Sequence, residues 1–220
     1  MRDGAIVKYS IKEIYYTLQG EGTHSGKPAV FCRFTGCNLW NGREQDRANA
    51  VCQFCDTNFI GNDGEHGGIY DSPEALAKTI DECWPCTSEN SVAQKFVVCT
   101  GGEPLLQLDE ALVIALQDIG FCVAVETNGT KLPPCGVDWV CVSPKANAPC
   151  ILERGDELKL VFPQPDCDPS TYLAFEFDRF FLQPMDGPSI EENTRLATEY
   201  CLQNPKWELS LQTHKMIGLR

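Results

Sequence analysis

Short runs of β-branched, aromatic and other apolar residues recur at 12–17, 29–35, 95–100, 121–126, 139–144, 156–162, 179–184 and 207–213. They are mostly β-branched, aromatic or continuously apolar, as strands buried in a parallel sheet are. Helical signals are fewer. Ser72-Pro73-Glu74 is a cap followed by proline in the first turn and predicts a helix to about Cys83. Leu108, Leu112, Leu116 and Ile119 recur at helical spacing and stop at Gly120. Ser189-x-x-Glu192 has capping-box form and predicts a helix that closes at Asn204-Pro205. A short fourth helix is expected within 170–177.

Strands interleaved with helices imply an α/β protein with a mainly parallel sheet. A complete eight-fold barrel needs roughly 250 residues, and this chain has 220. Segments 127–138 and 145–155 are too short and too rich in Pro and Gly for crossover helices. The expected fold is therefore an incomplete, TIM-like partial barrel with a reduced number of helices, with 1–220 as a single domain.

Polar residues gather where these strands end. Gln19-Gly20-Glu21, Thr100-Gly101-Gly102-Glu103, Glu126-Thr127-Asn128, Ser143-Pro144-Lys145, Gln183-Pro184 and Gln212-Thr213-His214-Lys215 each end or follow one. Barrel-like sheets carry their active sites at the C-terminal ends of strands, so six such clusters would converge on one rim.

The net charge of −13 argues against a dominant contact with nucleic acid or an anionic membrane surface. No apolar run approaches the length of a membrane span. The first residues lack the apolar block of a secretory signal, and a cytoplasmic protein is expected.

Thirteen cysteines then read as reduced thiols rather than a disulfide framework. Cys99, Cys122 and Cys141 lie in apolar runs and fit simple packing. Cys37, Cys52 and Cys55 lie in polar, turn-rich sequence as C-x14-C-x2-C. Three thiolates suit an iron–sulfur cubane whose fourth iron is open to a small molecule. Cys32 competes on spacing, but it alternates with Arg33 along a strand and is assigned to packing. Cys52/Cys55 and Cys83/Cys86 also allow a four-thiolate zinc module, which would leave Cys37 unexplained. Cys83-Trp84-Pro85-Cys86 has the form of a redox dithiol, but it falls at a helix end, where a thiolate gains nothing from the dipole.

With the run Cys99-Thr100-Gly101-Gly102-Glu103-Pro104, the cysteine trio resembles the radical S-adenosylmethionine superfamily. Its widened first gap, with Tyr16–Gly22, Phe34–Leu39, Cys55-Asp56-Thr57, Glu126–Gly129, Ser143–Lys145 and Gln212–Lys215, is similar to the 7-carboxy-7-deazaguanine synthases. These matches run nearly from end to end. Another radical enzyme, such as a glycyl-radical activase acting on a protein, is the alternative. Gln19-Gly20-Glu21 and Asp56-Thr57 favour a small polar substrate.

The resemblance implies a lyase of queuosine-type 7-deazapurine biosynthesis. It would contract the ring of 6-carboxy-5,6,7,8-tetrahydropterin, giving 7-carboxy-7-deazaguanine and ammonia. It implies a 4Fe-4S cluster on Cys37, Cys52 and Cys55, S-adenosyl-L-methionine on its open iron, and Mg2+ held by Thr57 with Asp56 beside it. No side chain is assigned as catalytic beyond the radical that the cofactor generates. Gly101 and Gly102 would let backbone approach the cofactor's methionine end, with Glu103 accepting from its ammonium directly or through a neighbour. Glu126, Asn128, Ser143 and Lys145 would meet its ribose and carboxylate, and Gln183 and Met185 its adenine. For the substrate, Gln19 and Glu21 would read the pterin edge and Arg33 would clamp the carboxylate. Leu18, Thr100, His214 and the terminal Arg220 would complete that pocket. A flavodoxin-type electron donor and a homodimer are the implied partners.

Overall fold

The computed structural model describes residues 8–85 and 94–220, so Cys86 lies outside the described residues. Its centre is one sheet of nine strands among those residues, in the order β3-β1-β2-β4-β5-β6-β7-β8-β9. The strands are β1 (Tyr9–Leu18), β2 (Pro28–Phe34), β3 (Gly68–Tyr70), β4 (Lys95–Gly101) and β5 (Phe121–Thr127). They continue with β6 (Trp139–Val142), β7 (Arg154–Phe162), β8 (Glu176–Pro184) and β9 (Glu208–Leu209). β1 is antiparallel to both β2 and β3, and from β2 onward every pairing is parallel.

The parallel register divides the sheet residues between two faces. Cys32 pairs with Cys99 and Arg33 with Thr100, so alternate positions on neighbouring strands share a face. Val30, Cys32 and Phe34, with Val97, Cys99, Val123, Val125, Leu158, Leu160 and Leu182, pack in the large core under the helices. Cys32 and Cys99 are thus packing residues. The opposite face carries a small apolar cluster, Ala29, Phe96, Val98 and Ala124. Further along these strands that face carries Arg33, Thr100 and Glu126, and on β7 it carries Lys159; all four line one cavity.

Helices α1 (Pro73–Cys83) and α2 (Glu110–Asp118) cover the core face, with α3 (Ile190–Gln203) against β8. Ser72 caps α1 by accepting from the Ala75 N–H at 3.1 Å. Asp109 caps α2 on the Leu112 N–H, so Leu108 falls outside that helix. The expected capping box at Ser189 does not form: its side chain makes no cap bond. Segment 170–177 holds a 3-10 turn (Pro169–Ala174) followed by the start of β8, rather than an α-helix. The last expected strand contracts to Glu208–Leu209. Residues from Thr213 wind into a single turn, α4 (Thr213–Met216), because the Thr213 N–H and hydroxyl both bond the Gly20 carbonyl at 2.9 Å. β3, absent from the apolar pattern, is a three-residue edge strand.

Among the described residues no helix is long and apolar enough to cross a membrane.

Candidate active site

A cavity of about 440 Å³ opens at the C-terminal ends of the parallel strands. Gln19 and Glu21 enter it from the turn after β1, Arg33 from β2, Thr100 and Gly101 from β4, Glu126 from β5 and Gln183 from β8. Gly102, Asn128, Ser143, Lys145 and Met185 follow strand ends onto the same wall, with Leu18, His214 and Arg220 completing it. Cys37, Cys52, Cys55, Asp56 and Thr57 face the same space. Of the residues assigned to cofactor, substrate or metal, Glu103 does not line it.

Glu103 is fully buried behind the wall. One carboxylate oxygen accepts from the Thr127 hydroxyl at 2.8 Å and the Leu105 N–H at 3.0 Å, and the other from the Asn128 N–H at 2.8 Å. Burial pushes its carboxyl up, and those donors oppose the rise. Its role in this geometry is to tie the end of β4 to the end of β5. Asn128 extends the tie, donating to Asn38 beside Cys37 at 3.0 Å.

The two glycines before Glu103 have an equally local cause. Gly101 has φ +144°, and a Cβ there would lie 2.2 Å from the Phe34 carbonyl oxygen. A Cβ on Gly102 would lie 2.0 Å from the Gly36 oxygen and 2.9 Å from the Cys37 Cβ. The chain leading into Cys37 occupies the space both side chains would need.

Charged groups on the wall occur in paired sets. Arg33 donates from Nε to Glu13 at 2.9 Å and from a terminal nitrogen to the Tyr15 hydroxyl at 2.9 Å. Three of its five N–H groups remain for an anion. Glu13 lies opposite Arg33 in the register of β1 with β2. The Lys159 ammonium stands 2.6 Å from Glu21 and 3.4 Å from Glu126, at ion-pair distance but without hydrogen-bond alignment. Gln19 donates to Glu126 at 2.8 Å and Gln212 to Glu21 at 2.9 Å. Burial raises the Glu21 carboxyl, but Lys159, Gln212 and His214 together hold it below its ordinary value. Burial lowers Lys159, yet Cys141, Glu126, Glu21 and Glu157 more than restore it. Both partners are therefore charged.

Lys159 was not apparent in the apolar run that contains it. Its signal is the alternation Glu157-Leu158-Lys159-Leu160, two charges on the face opposite the core leucines. Glu157, also buried, accepts from the Thr23 N–H at 2.9 Å and anchors the turn that carries Glu21.

At the rim, Lys215 joins Asp56 and Asp186. Thr57 approaches Asp56 at 3.4 Å. Lys145 bonds the Ser143 carbonyl and hydroxyl at 2.6 and 2.7 Å, and burial lowers its ammonium. His214 rests on Gly20, where a Cβ would fall 2.0 Å from its Nδ1. Burial also keeps His214 below its ordinary value.

Cys37, Cys52 and Cys55 are free thiols, as are all the described cysteines. Burial pushes Cys52 and Cys55 up, against the Lys145 charge. Among the described residues no three His, Cys, Asp or Glu side chains converge closely enough to hold one metal ion. Cys37, Cys52 and Cys55 all line the one cavity, as the ligands of a shared group would. Cys83 sits at the end of α1 and packs against the core on the other face of the sheet, away from Cys52 and Cys55.

No family model matches the chain. A 7-carboxy-7-deazaguanine synthase of Caulobacter vibrioides is 59% identical over 96% of this chain and 99% of its own length. One from Bordetella pertussis is 58% identical with the same coverage. The crystal structure of QueE from Escherichia coli superposes with a TM-score of 0.68 at 28% identity, covering 93% of each chain. At this identity over nearly the whole of each chain, the protein belongs to the 7-carboxy-7-deazaguanine synthase family.

Proposed function

We propose that this enzyme contracts the ring of 6-carboxy-5,6,7,8-tetrahydropterin to 7-carboxy-7-deazaguanine with release of ammonia, in 7-deazapurine (queuosine) biosynthesis. The observation that carries the reading is that three free thiols and a polar strand-end arch face one cavity of about 440 Å³. Relatives of the same name at 59% and 58% identity support it.

Cys37, Cys52 and Cys55 would hold a 4Fe-4S cluster, with S-adenosyl-L-methionine beside it. Together these supply one-electron chemistry to the cavity, while the protein supplies binding and electrostatics. Asn128, Ser143 and Lys145 offer amide, hydroxyl and ammonium groups to that cofactor. Glu126, paired with Lys159, would meet its ribose or carboxylate, and Gln183 and Met185 would lie near its adenine. Gly101 and Gly102 present bare backbone to the same space.

On the substrate side, Glu21 accepts from the ring's N–H and amine groups, while Gln19 both donates and accepts. Arg33, held by Glu13 and Tyr15, directs its remaining donors to the substrate carboxylate. Thr100 and Leu18 pack beside it, and His214 and Arg220 close the open side. Thr57 would contribute its hydroxyl to Mg2+, with Asp56 adjacent. Such a site is sparse, as magnesium retains several water or substrate ligands.

The same reading takes the sheet as an incomplete TIM-like barrel in a single domain spanning 1–220. It also takes the protein as a cytoplasmic homodimer that receives electrons from a flavodoxin-type donor. The test is anaerobic reconstitution with iron and sulfide, then incubation with S-adenosyl-L-methionine, reductant, Mg2+ and the carboxypterin. Formation of the deazapurine and one ammonia per turnover is expected. Iron–sulfur-loaded protein that consumes no carboxypterin would overturn the reading.

A further inference from the structure

Between Cys37 and Cys52 the chain inserts fourteen residues, 38–51. They are not an idle loop. Glu44–Asn49 form a 3-10 helix, and the Leu39 carbonyl accepts from both Val51 and Cys52 at 3.1 and 3.3 Å. Trp40 is buried and packs edge-on against Phe59, with ring centroids 5.6 Å apart. Its Nε1 donates to the Arg43 carbonyl at 3.2 Å.

The insertion delivers one cation to the turn that carries two of the three cavity thiols. The Arg47 guanidinium lies 4.1 Å from the centre of the Trp40 ring, stacked as a cation over its face. Its Nε is held by both oxygens of Glu44 at 2.8 Å. Its Nη1 donates to the Gln53 carbonyl at 2.9 Å and the Cys55 carbonyl at 3.0 Å. Aromatic face, carboxylate and two backbone carbonyls together orient a side chain that is only 27% exposed. Gln53 also reaches back to the Ala48 carbonyl at 3.0 Å, closing the loop on itself.

We propose that Arg47 is a positioning residue for the cluster: it clamps the Cys52–Cys55 turn through its backbone carbonyls and sets a fixed positive charge beside it. The proposal rests on Cys37, Cys52 and Cys55 being the cluster ligands. Bonds from Arg47 to Gln53 and Cys55 hold the turn in its ligating shape, so the ligands do not have to be ordered by the cluster itself. The guanidinium charge also favours the reduced, more negative cluster and raises its reduction potential. This gives the widened spacing a physical use. A three-residue gap could not carry the aromatic platform and its cation.

The test compares wild type, R47M and R47K, all reconstituted without oxygen. Iron and sulfide per chain, the rate of iron release to a chelator, and the reduction potential are measured, with circular dichroism as the folding control. R47M is expected to release iron about tenfold faster or more, with its potential displaced to more negative values. R47K is expected to recover part of the potential, because the charge remains. It should still release iron fast, because an ammonium cannot lie flat on Trp40 and be held by Glu44 through one nitrogen while another donates to both carbonyls. Wild-type rates and potential in R47M would overturn the proposal. If R47M does not fold, wild-type iron release in R47K overturns it instead. A wild-type chain that takes up no iron and sulfide would remove the ligand reading first, and this proposal with it.

Discussion

At the scale of single residues, the cavity floor depends on one cation. Lys159 lies between Glu21 and Glu126, and nearly all of its side chain is shut away from water. Removing one partner of a buried pair costs about 3–5 kcal/mol, because the remaining charge loses its compensation. Lys159→Met should therefore destabilise the protein by that order, with Tm falling about 2–4 °C per kcal/mol in a chain of this size. Acid should narrow the deficit. In wild type, Glu21 is held below its usual range, so its contribution is present above the unfolded value and lost as pH falls through the folded one. Without Lys159, burial pushes Glu21 up, and the variant gains stability on protonation where wild type does not. Melting curves from pH 7.5 to 4.5 check this; a deficit that widens on acidification would refute it. Glu103 teaches the converse. Its motif context suggests a contact with the cofactor, directly or through a neighbour, and three hydrogen bonds within the wall turn it from the cavity, which excludes only the direct contact.

At the scale of elements, local signals succeeded where the interaction they encode is itself local. Ser72 was read as a cap from the proline and glutamate after it, and it caps. Ser189 carries an equally good signature, yet its backbone departs from the extended conformation a cap side chain needs, with φ −103° and ψ 21°. The contrast is measurable. Ser72→Ala should cost about 1 kcal/mol. Ser189→Ala should stay within about 0.5 kcal/mol, as a surface substitution that removes no bond. Chemical denaturation of both variants, at unchanged m-value, tests the pair, and equal losses would contradict the geometry. The strands follow the same logic. Apolar runs located seven of the nine with small boundary shifts, and β9 only as a two-residue remnant of the last run. β3 escaped because a three-residue edge strand buries too little to leave an apolar run.

At the scale of the whole molecule, acid stability depends on where tertiary packing has put histidines. Burial lowers His24, beside Phe96 and Trp139 and with Lys27 adding to the effect, and it lowers His214 at the cavity wall. Both bind a proton less readily when folded than in the unfolded chain, whose histidines protonate near about pH 6.5. As pH falls through that value the unfolded state takes up protons that the folded state refuses, so stability declines from about pH 6.5 downward. The carboxylates held low, Glu21 and Asp56, begin to contribute only at more acid values. His214→Gln should therefore flatten the dependence of Tm on pH between 7 and 5.5. An unchanged slope would show that His214 does not take part.

The order of residues determined the α/β class, the strand-end polar clusters and the separation of Cys37, Cys52 and Cys55 from the packing cysteines. Each of these depends on alternation, spacing or turn chemistry within a few neighbours. Tertiary structure decided what depends on neighbours far apart in the chain. Lys159 meets Glu21 and Glu126 only because β7 lies across the sheet from the turn after β1. Gly102 is required only because Gly36 and Cys37 pass over it. Arg47 acquires its two carbonyls only once the inserted loop folds back over Trp40. Charge pairing and close backbone contact are set by distance in space, and linear order carries no record of them until the chain has closed.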